Sequence, residues 1–414
     1  MTRSGPLAMY VSYDGVLEPL GQSQILPYLR GLAREGLAFL LLTFEKPADL
    51  RRRADVDRLR AELAALGIQW WPLRYHRRPS VPATAWDVAR GVALALWLAC
   101  SRRPRVVHCR SYVAAVIGLA VHAVAGPRFI FDMRGFWPEE RVEGGVWPAA
   151  GGLFRAAKRV ERWLLRASDA VIVLTERARR TLATGRYQAS LRPGTPIEVI
   201  PCCVEVERFA GANCHDGAPG PERTIVYAGS VGTWYMLEEM LDFFAAVRSR
   251  DPGLRFLLLN RGEHDAIRRA AGARDLDGVE VRAASPAEMP AYLGRAFAGL
   301  YFIKPVFSKT GASPTKLGEY LAAGLPVIVN AGVGDADEVV TDARVGVVVD
   351  RFAPDAYVAA WDALTRAIAA DPGLRPRCRE TARRALGLEQ GVARYRRVYE
   401  RLLEPAATLE GSPR

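Results

Sequence analysis

The stretch RVVHCRSYVAAVIGLAVHAVAGPRFIFDMRG, residues 105–135, reads as strand, helix, strand. Two short runs rich in β-branched and aromatic residues, 105–109 and 128–132, flank an apolar run from Tyr112 to Gly126. Such a unit makes its two strands parallel neighbours joined by a right-handed crossover. The same rhythm runs outward in both directions. Strands are predicted at 7–12, 37–44, 68–74, 169–174 and 197–200, with helices such as 23–35, 49–66 and 153–166 between them. Residues 201–222 break the pattern with Gly, Pro, Asn and charge. It then resumes with strands at 224–228, 254–260, 278–282, 298–303, 326–329 and 345–349. The sequence predicts an α/β chain of two doubly wound domains, 1–200 and 223–388, joined by a linker at 201–222 and facing each other across a cleft. A last helix, about 389–404, follows the second sheet and can fold back on the first domain.

The 414 residues, half of them apolar and a quarter charged, are enough for two full cores and exclude a disordered, collagenous or disulfide-scaffold chain. The six cysteines (100, 109, 202, 203, 214, 378) form no C-x-x-C pair and no zinc spacing, which points to a reducing, cytoplasmic setting with no metal. The formal charge is +12. Residues 1–192 hold 30 Lys and Arg against 16 Asp and Glu, the remainder 27 against 29, and seven of the nine Trp lie in the basic half. That combination suits an anionic membrane surface, an acidic polymer or nucleic acid, although only five of the basic residues are Lys, so Arg richness has a compositional reading too. No secretory signal opens the chain, and the apolar runs 91–100 and 112–126 fall short of the ~18 residues that argue for a membrane span. The expectation is a soluble or membrane-surface protein.

In open parallel sheets ligands bind beyond the carboxyl ends of the strands. The first strand runs into Tyr13-Asp14-Gly15 and on to Gly21, with a helix expected to begin near Ser23. Here Gly21 permits a close backbone approach to an anion, or is a plain turn. This is not the G-x-G-x-x-G fingerprint of dinucleotide binding. The fourth and fifth strands end in His108-Cys109-Arg110 and Asp132-Met133-Arg134, a matched pair of polar clusters on neighbouring strands. A long loop from Phe136 to Gly152 follows, in which Trp137 is a candidate for stacking on a sugar or for a core or membrane contact.

In the second domain Gly229-Ser230 follows the first strand and leaves room for a phosphate. The segment Ser313-Pro314-Thr315-Lys316-Leu317-Gly318-Glu319 reads as a capped helix start, with Pro314 at its first position and free N–H groups facing the cleft. Lys316 and Glu319, three apart on one face, suit a diphosphate and ribose hydroxyls. Lys304 and Lys309 lie close by, a further hint that ammonium charge belongs in this stretch. The acidic run 335–338 reads as a helix cap rather than a metal site.

Gly21, His108, Gly229-Ser230 and the run from Ser313 to Val327, most specifically Glu319-Tyr-Leu-Ala-Ala-Gly-Leu-Pro-Val, resemble glycosyltransferase family 4, over about residues 7–403. The resemblance implies the GT-B fold, with two Rossmann-like domains. It also implies a retaining hexosyl- or N-acetylhexosaminyltransferase that uses a nucleotide-diphosphate sugar as co-substrate and needs no metal cofactor. The acceptor would sit on the first domain and the donor on the second. By this resemblance His108 approaches the donor sugar, Glu319 holds ribose and Gly21 lies near the diphosphate. Thr315 and Ser313 join the donor site as part of the same segment. His108, Asp132, Arg134 and Arg110 are the candidate catalytic set.

Two departures stand out. The first glutamate of the family's E-x7-E motif falls at Gly311, and the Arg/Lys pair expected after strand 224–228 is absent, with Ser230 and Trp234-Tyr235-Met236 in that region. Lys316, then Arg110 and Arg134, are the replacement candidates. With the charge distribution, the expected acceptor is a glycan or lipid-linked intermediate of polysaccharide biosynthesis, met by a peripheral enzyme at the inner membrane face, and nucleic acid is the least favoured partner. A sugar-nucleotide epimerase and a non-catalytic partner subunit on the same fold remain as alternatives.

Overall fold

A computed structural model of the chain describes residues 6–210 and 223–404. Residues 211–222 of the predicted linker, with Cys214, lie outside the described residues. The first sheet comprises β1 (Leu7–Ser12), β2 (Ala38–Glu45), β3 (Ile68–Arg74), β4 (Val106–Arg110), β5 (Arg128–Asp132), β6 (Ala170–Val173) and β7 (Ile197–Val199), in the order β3-β2-β1-β4-β5-β6-β7. The second comprises β8 (Thr224–Ala228), β9 (Arg255–Leu259), β10 (Val279–Arg282), β11 (Ala298–Tyr301), β12 (Val327–Asn330) and β13 (Gly346–Val349), in the order β10-β9-β8-β11-β12-β13. Every pairing within the sheets is parallel. Central strands such as Leu40-Leu41-Leu42 are apolar on both faces because helices cover both sides. Strand order reverses between β1 and β4 and between β8 and β11, which is where doubly wound sheets open a crevice.

One face of the first sheet packs on the helices Ser80–Arg102, Ser111–Ala125 and Gly152–Ala167. The other packs on Leu26–Arg34, Arg53–Ala65 and the final helix Leu388–Leu403. That final helix therefore belongs physically to the first domain, although the helix before it, Leu374–Leu386, buries Leu374, Cys378 and Leu386 in the second core. The chain crosses between domains twice, and the two crossings are hydrogen-bonded to each other. Val204 N donates to Leu386 O (2.8 Å) and Leu388 N to Val204 O (2.9 Å). Gly391 seats the returning helix, since a Cβ there would stand 2.7 Å from both Cys203 Sγ and the Tyr28 ring.

Several expected boundaries shift. The helix placed at 23–35 is two, Pro19–Gln24 and Leu26–Arg34, so Ser23 lies inside a helix and its Oγ donates to Pro19 O (2.9 Å) rather than capping one. The helix placed at 49–66 is likewise split, into Pro47–Leu50 and Arg53–Ala65. The long loop after Phe136 contains a helix, Trp137–Glu143, with Pro138 in its first turn. The apolar run 91–100 is part of a 23-residue helix that passes for a membrane span by length and composition. Its Ala83, Gly91, Ala95 and Leu98 are buried, whereas Trp86 and Trp97 on its outer side are 59% and 54% exposed. Small inward residues let this helix lie close to its neighbour and to the sheet.

Gly391→Ala is expected to lower unfolding stability by about 1–3 kcal/mol through overpacking at the helix seat. Gly152→Ala, with no neighbour within 4 Å of its Cβ, should change it by less than ~0.5 kcal/mol. Urea unfolding of the two variants checks the contrast.

Candidate active site

The β-pleat explains the first half of the site. His108 and Arg110 alternate with Cys109 along β4, so both face the final helix, and Asp132 pairs in register with Arg110 from β5. The final helix then supplies two hydroxyls. Tyr395 donates to Asp132 Oδ2 (2.8 Å), and Tyr399 OH lies 2.8 Å from His108 Nδ1. Asp132 Oδ2 is 3.6 Å from His108 Nε2, beyond hydrogen-bond range, and Oδ1 is 3.8 Å from Arg134 Nη1. Arg134 Nη2 donates to Cys202 Sγ at 3.2 Å. Ser111 and Arg134, which follow the two strands, hold φ of 67° and 59°, left-handed values that cost energy in non-glycine residues and concentrate at functional sites.

All four groups are removed from solvent: His108 is 1% exposed, Arg110 4%, Asp132 0% and the Arg134 side chain 9%. Burial pushes the His108 imidazole below its ordinary value, toward the neutral form, although Asp132 pulls the other way. For Asp132 burial opposes ionisation, but Arg134, His108 and Arg110 outweigh it and hold the carboxyl below the usual carboxylate range. Two guanidiniums thus share one carboxylate, a net positive buried cluster. Among the described residues, Arg110 Nε and Nη1, Arg134 Nη1, His108 Nε2 and Asp132 Oδ1 have no hydrogen-bond partner. Buried polar atoms are normally paired, so these are candidate contacts for a ligand.

The second half of the site lies at the end of β8. Gly229, at φ 139°, turns the chain beneath Lys316, and a Cβ there would stand 3.0 Å from Lys316 Nζ. The Gly229-Ser230 loop is shaped by Asn260, whose Nδ2 donates to Gly229 O (3.0 Å), and by Glu263, which accepts from Val231 N (2.9 Å). Ser230 is exposed, and its carbonyl accepts from Tyr227 OH. Lys316 is 4% exposed and sits in an aromatic cage, 3.5 Å from the Tyr235 ring centre and 4.2 Å from that of Tyr227, with Nζ donating to Tyr227 OH (3.1 Å). Burial drives this amine well below its ordinary value, against the pull of Glu319. Glu319 is raised by burial, against the pull of Arg208 and Lys316. Together with Thr315, Arg208, Ser23 and Gln24 it lines a crevice between the two domains of about 20 Å³. That is room for one water-sized group, so a ribose reaches Glu319 only when the helices separate.

The segment before this helix departs from expectation. The helix is Thr315–Ala322, with Pro314 preceding it, and Ser313 makes no cap. Instead Ser313 Oγ accepts from Cys202 N (3.1 Å), which joins the donor helix to the crossing strand that also meets Arg134. Gly21 likewise has another task. It lies inside the Pro19–Gln24 helix, and the space of its missing side chain is filled by the backbone of Gly15 and Val16. That loop is in turn held by buried Glu45, which accepts from Val16 N (2.8 Å) and Leu17 N (3.2 Å).

Gly311 lies in a 3-10 turn, Phe307–Gly311, that touches the first domain, where a Cβ would stand 3.1 Å from the Phe136 ring. Phe136 and Phe307 are 4.9 Å apart, Lys309 pairs with Glu140, and Glu143 accepts from Ser308 N (2.9 Å). The Lys309 ammonium therefore serves this junction. Asp335 accepts from Glu176 N and Arg177 N (2.6 and 3.2 Å), so it caps a helix of the opposite domain rather than its own. Trp137 is half-buried, 5.0 Å from Trp147 and 5.6 Å from Tyr112. Tyr395, Tyr399, Glu45, Asn260 and the tyrosine cage were not singled out from the sequence. For Tyr395 and Tyr399 the four-residue spacing on an amphipathic helix was the available signal.

Two Rossmann-like domains, each a doubly wound parallel sheet, meeting at one junction define the class: this is a GT-B glycosyltransferase. Residues 22–203 match the family of glycosyl transferase 4-like domains and residues 222–366 the glycosyl transferases group 1, and the chain belongs to this glycosyltransferase family. A glycosyltransferase from Rickettsia africae is similar in structure, with TM-score 0.71 and 13% identity over 97% of this chain and 100% of that one. Sucrose-phosphate synthase from Thermosynechococcus elongatus has TM-score 0.67 and 16% identity over 96% and 99%. HepE from Anabaena, in complex with UDP and glucose, has TM-score 0.67 and 13% identity over 96% and 100%. At these identities the likeness is one of fold. No curated protein matches the chain.

Lys316→Met tests the caged amine. Unfolded lysine is protonated below about 10.5 whereas the caged one holds its proton less tightly, so the wild type loses stability as pH falls from there toward its lowered folded value. The variant escapes that loss. It is expected to be more stable near pH 8 by about 1 kcal/mol or more, with the gain shrinking toward pH 10.5, as read by urea unfolding across pH.

Proposed function

We propose that this chain is a retaining transferase that moves a hexosyl or N-acetylhexosaminyl group from a nucleoside diphosphate sugar to a lipid-linked or polysaccharide acceptor. We place it in the cytoplasm at the inner membrane face, working without a metal. The observation that carries the reading is the buried, net positive His108–Asp132–Arg110–Arg134 cluster with unpaired guanidinium atoms, coupled through Cys202 to the helix bearing Lys316 and Glu319. The UDP and glucose bound by HepE support the donor class.

In this mechanism the departing diphosphate gathers negative charge as the glycosidic bond breaks. Preorganised cations in a dry site stabilise that charge without reorganising. Arg134 and Arg110 supply it from the first domain. Lys316 would regain its proton against the anion, and the Thr315–Ala322 helix adds its N-terminal dipole. His108, neutral by burial, offers Nε2 to a sugar hydroxyl. With the diphosphate as the charge that needs stabilising and Gly311 in place of a carboxylate, no enzyme nucleophile is called on: the acceptor hydroxyl enters on the face the diphosphate leaves, its oxygen bonds to the anomeric carbon as the bond to the diphosphate breaks, and its proton passes to the departing diphosphate oxygen. Asp14, 49% exposed and 3.9 Å from Arg110, faces the acceptor side, where it would orient that hydroxyl.

A thermal-shift screen of nucleoside diphosphates and their sugars is expected to find concentration-dependent stabilisation. Stabilisation by none would overturn the donor assignment. With a donor identified, Arg134→Gln should lower kcat by about a hundredfold or more. NMR of the product is expected to show a retained anomeric configuration. An inverted product whose formation Asp14→Asn abolishes would make Asp14 a general base and end the retaining reading. Isomerisation of the sugar nucleotide without acceptor would favour an epimerase.

A further inference from the structure

An opening of about 850 Å³ in the first domain lies beyond the ends of β1, β3 and β4, next to the cluster described above through Asp14. Its walls are aliphatic and aromatic, with Val88, Val113, Val116 and Val160 from three helices and Trp137 and Trp147 from the segment after β5. At one edge Val81, Val146 and Leu153 are 56%, 59% and 47% exposed, so the apolar lining runs out to the surface instead of ending at a polar rim. Three arginines, Arg77, Arg78 and Arg141, line the same cavity, and among the described residues no carboxylate lies within ion-pair distance of any of them. Asp14 also lines it and reaches toward Arg110, so the cavity adjoins the reaction site.

This combination narrows the occupant. A free sugar or polysaccharide would leave the valine walls unmatched and the three guanidiniums without an anion, and a neutral lipid would meet only the walls. A phosphate ester of a long hydrocarbon chain meets both, because guanidinium binds phosphate oxygens bidentately and aliphatic walls take the chain. We propose that this cavity binds a long-chain lipid phosphate, the carrier of the acceptor. The phosphate lies against Arg77, Arg78 and Arg141, and the chain lies along Val88, Val116 and Val160 and leaves over Val81 and Leu153. The head group, carrying the hydroxyl to be glycosylated, points toward Asp14. This rests on the transferase reading and selects the lipid-linked acceptor over the polysaccharide.

The test titrates the full chain with n-dodecyl phosphate below its micellar concentration and follows tryptophan fluorescence, since Trp137 and Trp147 line the cavity. Saturable binding is expected, at least tenfold tighter than that of n-dodecyl maltoside or inorganic phosphate. The exposed pair Arg77→Glu/Arg78→Glu should weaken it at least tenfold with an unchanged thermal midpoint, and Val116→Phe, which fills the cavity, should do the same. If Val116→Phe does not fold, the arginine pair alone decides. Equal binding of the maltoside, or dodecyl phosphate binding that survives the arginine exchange, overturns the assignment. Nucleotide binding without dodecyl phosphate binding removes the lipid site and leaves the transferase reading. The reverse result removes the donor assignment and leaves the cavity.

Discussion

The carboxylate of Asp132, wholly buried at the end of β5, is the constraint on which the rest of the arrangement depends. A buried charge is tolerable only when paired and hydrogen-bonded, and removing one partner leaves an uncompensated ion at a cost of several kcal/mol. Its partners come from three places: Tyr395 from the final helix, Arg134 from the turn after its own strand, and His108 from the neighbouring strand. The return of the chain to the first domain after completing the second is thus tied to the chemistry of the cleft. Among the described residues, Arg110 and Arg134 keep unused donors beside this carboxylate.

The domain junction explains why this chain departs from the pattern of its family. Where a glutamate is usual, Gly311 admits the ring of Phe136, and around it Lys309–Glu140, Ser308–Glu143 and the Asp335 cap fasten the 3-10 turn to the first domain. A carboxylate side chain at 311 would collide with this contact. The glycine at 311 therefore goes with a close approach of the two domains at this turn. Lys316 lies in a cage of tyrosines, where burial holds its amine well below the ordinary value.

The basic excess of the first half has a structural address as well. Part of it, Arg110 and Arg134, is buried in the cluster. Part lines the apolar cavity as Arg77, Arg78 and Arg141. On the helices of the same face, Trp86, Trp97 and Trp163 are exposed beside further arginines such as Arg159 and Arg162. A helix such as Ser80–Arg102 is then a wall of the domain and an apolar outer surface at once, which is why its composition reads as a membrane span although a third of its apolar window is buried in the domain.

Periodicity sufficed for the thirteen strands and the parallel order, since runs buried on both faces with helices between them admit few other solutions. It also located His108, Arg110, Asp132 and Arg134, because the ends of parallel strands are where such sheets open. Local pattern failed where a residue's neighbour is distant in sequence. Ser313 reads as a cap and bonds Cys202; Gly21, open to either a ligand-facing loop or a plain turn, packs on Gly15; Lys309, part of a run of ammonium charge, pairs with Glu140. Whether a given Gly, Ser or Lys serves a ligand or the protein depends on what stands within about 3 Å of it. That is set by how the two domains and the returning helix pack, a matter of long-range geometry on which spacing along the chain is silent.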